Sequence, residues 1–469
     1  MTERTRKVTV VGGGITGLSA AFYLQRQARE RGIRLELTLI EAAHRLGGKI
    51  QTVRRDGFIV ERGPDSFLAR KAGMRDLVKG LGLENELVRS AAGQTYVLSG
   101  EELHPVPGGS ILGVPRDFSP FLSSGLLSWS GKVRAAAELM LPKPAPEADE
   151  SVGAFFRRRF GGELVDNLIE PLLAGIYAGD IDRLSLESTF PQFRRLEQEH
   201  RSLLYGIRKS SMMTGPQPLN PGEGIYQTFR GGLDTVVRAL EEALVSQGAA
   251  ILKGVRAERC ETERETMNLT LNDGSVLQSD GIILAVPHFM AKKLFKPHGF
   301  LEELDDMPFA TVATVSVAFR EEDVDQHLEG TGFVVSRNTD TAVTACTWTH
   351  RKWPHSAPEG HTLFRAYVGR RGNEMIVDIS DSEISKAVLE DLRKTMDIRG
   401  EPEFVIVSRF PNAMPQYPVG HKDRVAEAKA ELQRKFPGVE LAGSSYGGIG
   451  LPDCAEQGKT AAAALLERL

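Results

Sequence analysis

The sequence is poor in the features that would place it outside the ordinary globular class. It has three cysteines, Cys260, Cys346 and Cys454, far apart and in no paired spacing. That excludes a disulfide framework or a thiolate metal cluster, and it fits a reducing compartment. Long hydrophobic runs are absent. No window approaches the roughly 18 apolar residues that a spanning helix needs. The opening segment is charged, and its first apolar run, Val8 to Val11, is only four residues long. A secretory signal is therefore not expected, and the cytoplasm is the expected location. Excess charge of one sign is lacking too: 58 basic residues stand against 62 acidic ones, a formal net charge of −4. A nucleic-acid-binding surface would need a clear basic excess. The ten histidines are scattered, with no pair at metal-ligand spacing. No metal is expected.

What the chain does have is length and glycine: 469 residues, 48 of them glycine. Two or three domains are expected from the length. The N-terminus reads as strand (KVTVV), tight turn (GGGITG), helix (LSAAFYLQRQAR) and second strand (LELTLIE), a complete βαβ unit. From about Arg89 to Tyr226 the texture is mostly helical and loop-like. That region holds a Pro-rich acidic connector (142–150) and a Gly/Pro-rich, mobile-looking segment (210–224). Alternation then returns: a helix with Leu233, Val236, Val237 and Leu240, strands near 251–256 and 267–271, a hairpin turn at 272–274, and a buried strand within 280–287. Residues 307–410 are β-rich. Helices follow at about 381–396 and 422–435, then a strand near Val439 to Ala442, a glycine loop and a C-terminal helix. Nucleotide-fold elements at both ends and in the middle predict a discontinuous domain with others inserted into it.

Three motifs carry chemistry. Gly12, Gly14 and Gly17 follow a strand and open a helix. Gly12 suits the tight turn, Gly14 lets backbone approach a pyrophosphate, and Gly17 permits close helix–strand packing, with the helix N-terminus facing the phosphates. Glu41 ends the second strand, 24 residues beyond Gly17, where a carboxylate accepts hydrogen bonds from a ribose diol. It is followed by Arg45, Gly47-Gly48, Lys49 and Thr52, an extension that nicotinamide folds do not need. At the other end, a glycine loop leads into the last helix, which Asp453 or the residues just before it would open. Its N-terminus can stabilise negative charge on a bound group.

GGGITG followed by E-x3-R-x-GG resembles the amine oxidase and protoporphyrinogen oxidase superfamily of FAD enzymes. The strings 61–71, 169–185, 344–355, 414–421 and 448–454 narrow the match to the Gram-positive bacterial coproporphyrinogen III and protoporphyrinogen oxidases, and it runs end to end. The fold this resemblance implies is α/β: a two-dinucleotide-fold, Rossmann-like FAD domain (1–60, 225–300, 423–469), a mixed β-sheet substrate domain (61–103, 301–422), and an inserted helical domain at the substrate mouth (104–224). The cofactor it implies is FAD, bound by Gly12, Gly13, Gly14, Ile15, Thr16, Gly17, Glu41, Ala42, Arg45, Gly48 and Lys49. Further contacts carried over are Gly63, Pro64, Asp65, Ser66, Val255 in a short strand, Phe410 (often Trp in the family), and Gly448, Ile449 and Gly450.

The implied activity is six-electron oxidation of coproporphyrinogen III, and also of protoporphyrinogen IX, in three two-electron steps, with oxygen as acceptor and hydrogen peroxide formed, in haem biosynthesis. Aromatisation supplies the driving force, so no catalytic acid or base is assigned. Arg70 and Lys71 are assigned to substrate carboxylates, the alternative being an exposed helix face. Arg116 and the run Arg157–Arg159 are further cations for the four propionates that would favour coproporphyrinogen. Expected partners are the porphyrinogen, oxygen and transient contacts with haem-pathway enzymes, without nucleic acid. The patchily apolar stretch 106–141 is expected to be a helical cap with its apolar residues buried, giving at most peripheral membrane contact. An amine oxidase, a carotenoid desaturase or a non-catalytic binding protein on the same architecture is the alternative. The interior strings speak against the first two, and the intact glycines against the third.

Overall fold

A computed structural model describes residues 4–116, 119–143, 148–209, 222–263, 266–325, 327–369 and 374–469. Part of the acidic connector and most of the Gly/Pro-rich segment at 210–224 lie outside them. At the centre is a five-stranded parallel sheet ordered Ala250–Lys253, Leu35–Glu41, Arg6–Val11, Gly281–Leu284 and Val439–Leu441. Gly281–Leu284, within the sheet, is an unbroken apolar run because both its faces are covered, whereas the edge strand Ala250–Lys253 is not buried. The first helix (Ile15–Glu30) packs on one face, flanked by the helices Asp234–Ser246 and Leu451–Leu466. It meets the C-terminal helix through small residues: a Cβ on Gly458 would lie 2.4 Å from the Thr16 carbonyl oxygen. Leu18, Leu24, Val236, Leu240 and Leu465 fill the layer, each side chain contributing about 1.5–3 kcal/mol by burial. Because all five strands are parallel, their C-terminal ends share one edge, where this architecture binds ligands.

Beside it stands a seven-stranded mixed sheet, ordered Phe404–Pro415, Phe309–Arg320, His361–Val368, Val343–Trp348, Gly332–Val335, Thr95–Ser99 and Glu102–Pro105. Trp348, Phe319 and Phe364 are fully buried on its core face. Smaller antiparallel sheets join Phe67–Leu68, Glu223–Phe229 and Leu87–Ala91, and stack Ala257–Glu263, Thr266–Leu271 and Val276–Ser279, whose last turn falls at 272–275 as expected.

Residues 119–209 are largely helical and close on their own core of Phe155, Phe156, Phe160 and Phe193.

Three expectations need correction. The stretch 89–226 is not uniformly helical and loop-like. Thr95–Ser99 and Glu102–Pro105 form a hairpin, turned at Gly100 (φ +63°), that adds to the seven-stranded sheet. Its polar residues alternate at an edge, so local composition hides it. Val255 is not in a strand. Gly254 (φ +74°) ends Ala250–Lys253, and Val255 lies in the connection to Ala257. The apolar residues of 106–141 are only partly buried. Phe121, Leu126 and Leu127 face inward, while Trp129 and Val133, one turn apart, are about 70% exposed together with Met140 at 84%. The helix Trp129–Ala136 turns its small residues Gly131 and Ala135 to the core instead.

Candidate functional site

Gly12 leaves the first strand at φ +108°, and a Cβ there would sit 2.6 Å from the Ala285 carbonyl oxygen. Gly17 is tighter, because its Cβ would lie 1.9 Å from the Gly12 carbonyl oxygen. Gly14 differs: it is the N-cap of the first helix, carries no side-chain cap, and a Cβ there meets nothing within 4 Å. The first helical turn has no acidic residue. Open space, uncapped N–H groups and the positive end of the dipole therefore coincide, and a diphosphate fits there.

Glu41 borders this cradle. Its carboxylate accepts the Gly13 N–H (2.6 Å) and the Ala43 N–H (2.8 Å), which leaves lone pairs for a diol. Ala42 is exposed in the turn that follows. Val255 donates its N–H to the Glu41 carbonyl (3.0 Å), which fixes that connection beside the strand end.

Gly47 donates to the Gly13 carbonyl (2.8 Å), and Gly48 lies against the Gly14 Cα, so the Glu41–Lys49 extension doubles back onto the glycine turn. Arg45 donates to the carbonyls of Leu46, Ile50 and Gly48, at 3.2, 3.1 and 2.6 Å. Its guanidinium folds the loop as well as charging it.

Beyond the turn, backbone segments approach one another closely. A Cβ on Gly63 would lie 1.8 Å from the Lys49 carbonyl oxygen and 3.7 Å from the Phe410 ring. Lys49 donates its ammonium to the Ala413 carbonyl. Burial lowers its pKa, although the side chain keeps accessible surface. The C-terminal glycine loop closes the far side. Gly450, not Asp453, is the N-cap of the last helix, with Pro452 and Asp453 in its first turn, because the extended Gly450 (ψ 147°) is where the chain enters the helix. Ile449 is half-buried and packs on the aromatic core of the helical region.

The segment Gly63 to Ser66 is fixed by groups that sequence reasoning missed. Lys352 (2.9 Å) and the Trp353 indole (3.3 Å) both reach the Asp65 carboxylate, and Ser66 donates to it at 2.7 Å. Burial would raise the Asp65 carboxyl, but Lys352 and Arg365 hold it well below the usual range. Its side chain is thus engaged by protein, leaving backbone for a cofactor contact. Arg365, buried, donates to the Gly63 carbonyl, while its Nε and Nη1 have no hydrogen-bond partner among the described residues. They border a cavity of about 20 Å³ shared with Glu61, Ser316 and Ser356, which has room for about one water. Burial lifts the Glu61 carboxyl to about 7, against the Leu233 N–H and the Thr52 hydroxyl that it accepts.

The cations assigned to substrate fare differently. Lys71, at the N-cap of the helix Ala72–Leu81, pairs with Asp453 at 2.6 Å, joining two helix starts. Arg70 and Arg116 are exposed. The run Arg157–Arg159 does not present free charge. Arg157 pairs with Asp166 and Asp182, Arg158 with Glu150 and Glu197, and Arg159, fully buried, with Glu138. Arg159, buried, must be neutralised internally, and the two partly exposed arginines are neutralised by acids of the same region. Among the described residues no cluster of His, Cys, Asp or Glu could hold a metal ion, and no helix is long and apolar enough to cross a membrane.

The model of the flavin-containing amine oxidoreductase family matches residues 15–466. The chain is 50% identical to a coproporphyrinogen III oxidase of Bacillus subtilis, over 98% of each chain. It is 40% identical to one of Staphylococcus aureus, covering 99% of this chain and 100% of that one. A crystal structure assigned as a protoporphyrinogen oxidase from Exiguobacterium sp. 255-15 superposes with a TM-score of 0.89 at 39% identity, over 99% of this chain and 100% of that one.

Proposed function

This chain belongs to the flavin-containing amine oxidoreductase family, among its coproporphyrinogen III and protoporphyrinogen oxidases, and from that premise we propose that it oxidises coproporphyrinogen III to coproporphyrin III. Its cofactor is FAD. Oxygen is the proposed acceptor, with three hydrogen peroxide formed per porphyrin, and protoporphyrinogen IX is a second, poorer substrate. The observation that carries the reading is the open Gly14 cradle at the C-terminal ends of the parallel strands, where the uncapped start of the first helix meets Glu41 and Gly48. The diphosphate of a dinucleotide cofactor matches that opening.

On this reading 1–60, 225–300 and 423–469 hold FAD, 61–103 and 301–422 shape the substrate site, and 104–224 forms its mouth. Bound FAD would accept the electrons two at a time. The protein's part is to bind, orient and exclude water. Gly12–Gly17 and Glu41 take the diphosphate and ribose, with Ile15, Thr16 and Ala42 alongside. Lys49, Gly63 to Ser66, Phe410 and Gly448–Gly450 would hold the ring system. Lys71 and Arg70 remain the proposed carboxylate readers, Lys71 exchanging Asp453 for a propionate. A cytoplasmic location and transient haem-pathway partners complete the proposal.

Porphyrin fluorescence followed under air with each porphyrinogen tests it. The expected result is a higher kcat/KM for coproporphyrinogen III. An equal or higher value for protoporphyrinogen IX overturns the preference, and no porphyrin from either overturns the function.

A further inference from the structure

The string 414–421 carried the family resemblance, yet no role in the site has been given to it. In the structure it is a strap between three parts of the molecule. Gln416 donates its backbone N–H to the Pro308 carbonyl (2.9 Å) and its side-chain amide to the Tyr177 carbonyl (2.7 Å). Ser185, in the helical region, donates its N–H to the Tyr417 carbonyl (2.8 Å), and Gly420 donates to Asp149 (2.9 Å). At the middle of the strap Tyr417 is completely buried. Its ring stacks on His421, with centroids 4.4 Å apart and planes 10° apart, and meets Tyr177 edge-on at 6.2 Å.

The phenol hydroxyl reaches out of this packing into the C-terminal glycine loop. It accepts the Gly448 N–H (3.0 Å) and donates to the Ser444 carbonyl, so one oxygen closes both ends of a five-residue span. Gln457 makes a second clamp, accepting the Gly443 N–H (3.1 Å) and donating to the Gly447 carbonyl (2.7 Å). The loop needs clamps. It holds Gly443, Gly447, Gly448 and Gly450, two of them at φ +124° and +99°, and glycine chains lose the most freedom when ordered. Only a group that both donates and accepts can fill the Tyr417 position, which a phenol does and a phenyl ring does not.

We propose that Tyr417 is a positioning residue for the flavin: its hydroxyl sets the loop Ser444–Gly448, and its backbone ties that loop to the helical region at the substrate mouth. This rests on the reading that Gly448, Ile449 and Gly450 face the isoalloxazine ring.

The test is Tyr417→Phe in the full-length holoenzyme, which keeps the ring, the stack on His421 and the contact with Tyr177. The expected result is native far-ultraviolet circular dichroism with a changed flavin absorption band. FAD affinity, measured by reconstituting stripped protein, should fall on the order of tenfold, as expected for losing the hydroxyl's hydrogen bonds. Replacing Tyr417 with p-aminophenylalanine, which restores a donor and an acceptor, should recover most of that loss. A residue that only fills the core would lower the melting temperature and leave the flavin band and affinity alone. A folded Tyr417→Phe with an unchanged band and affinity within twofold of the parent therefore overturns the proposal. If Tyr417→Phe does not fold, residue-resolved hydrogen exchange of the parent holoenzyme decides. Gly448 should be among the slowest amides of 443–450, and exchange at free-loop rates overturns the clamp. Gly450→Val separates the two readings. If its flavin band matches the parent's, the loop does not face the flavin and the site reading fails. A shifted band there beside an unaltered Tyr417→Phe removes only Tyr417.

Discussion

Gly14 and Gly17 lie three residues apart in one motif and should fail in opposite ways. Gly14 has ordinary extended backbone (φ −73°, ψ 176°) and open space where a Cβ would go. Gly14→Val should therefore fold with parental circular dichroism and melting behaviour yet lose its yellow colour, because the new side chain occupies the diphosphate position. A Cβ on Gly17 collides with backbone at 1.9 Å. Gly17→Val should lose about 3 kcal/mol of stability or more, read from urea unfolding, whether or not FAD is present. Full flavin in Gly14→Val would refute the placement of the phosphates. Glu61 supplies a pH prediction. Its folded pKa, about 7, is raised above the ordinary carboxylate value by burial, so the fold binds the proton more tightly than the unfolded chain does. That contribution is complete below about pH 4.5 and is lost as pH rises towards 7, by about 3 kcal/mol. Glu61→Gln keeps an acceptor for Leu233 and Thr52 and cannot ionise. Its melting temperature should match the parent at pH 5 and exceed it at pH 8. An identical pH profile in both proteins would count against a buried, proton-binding Glu61.

Among the elements, the helix Val152–Phe160 shows how little a run of like charges reveals by itself. Three consecutive arginines at its end resemble a solvated or anion-binding face. Helical geometry sends them in three directions, each toward acids from elsewhere in the chain. Glu138, fully buried, accepts from Arg159 and also takes the Ser202 hydroxyl (2.6 Å) and the Leu203 N–H (2.8 Å). Glu138→Ala leaves that guanidinium without its closest acid, and unfolding free energy should fall by about 3–5 kcal/mol. The double variant Glu138→Leu with Arg159→Met should recover much of the loss. A single-variant cost below about 1 kcal/mol would mean that the pair is solvated. The hairpin Thr95–Ser99 and Glu102–Pro105 and the position of Val255 belong to the same scale. Both were misread because edge pairing and a left-handed glycine are decided by neighbours, not by local composition.

For the whole molecule, what could be read from the sequence follows contact distance along the chain. The βαβ start, the Gly12–Gly17 turn, Glu41 at a strand end, the hairpin turn near 272 and the helices near 381 and 422 depend on residues close in sequence, and they were legible from periodicity and turn chemistry. The family followed from strings spread over the chain, which also held Lys352, Trp353 and Tyr417 without revealing their tasks. Those tasks depend on pairs hundreds of residues apart: Asp65 with Lys352, Gly63 with Arg365, Lys71 with Asp453, Gly448 with Tyr417. A side chain's charge is written in the sequence, but its partner is set by where two distant elements are packed, since ion pairs and hydrogen bonds act only across a few ångströms. The sequence by itself determined the Gly12–Gly17 turn, the class of cofactor and the family. Tertiary structure alone decided which cations are consumed inside the protein and which residues hold the segments Gly63–Ser66 and Gly443–Gly450 in place, because buried donors and charges must find partners wherever the chain brings them.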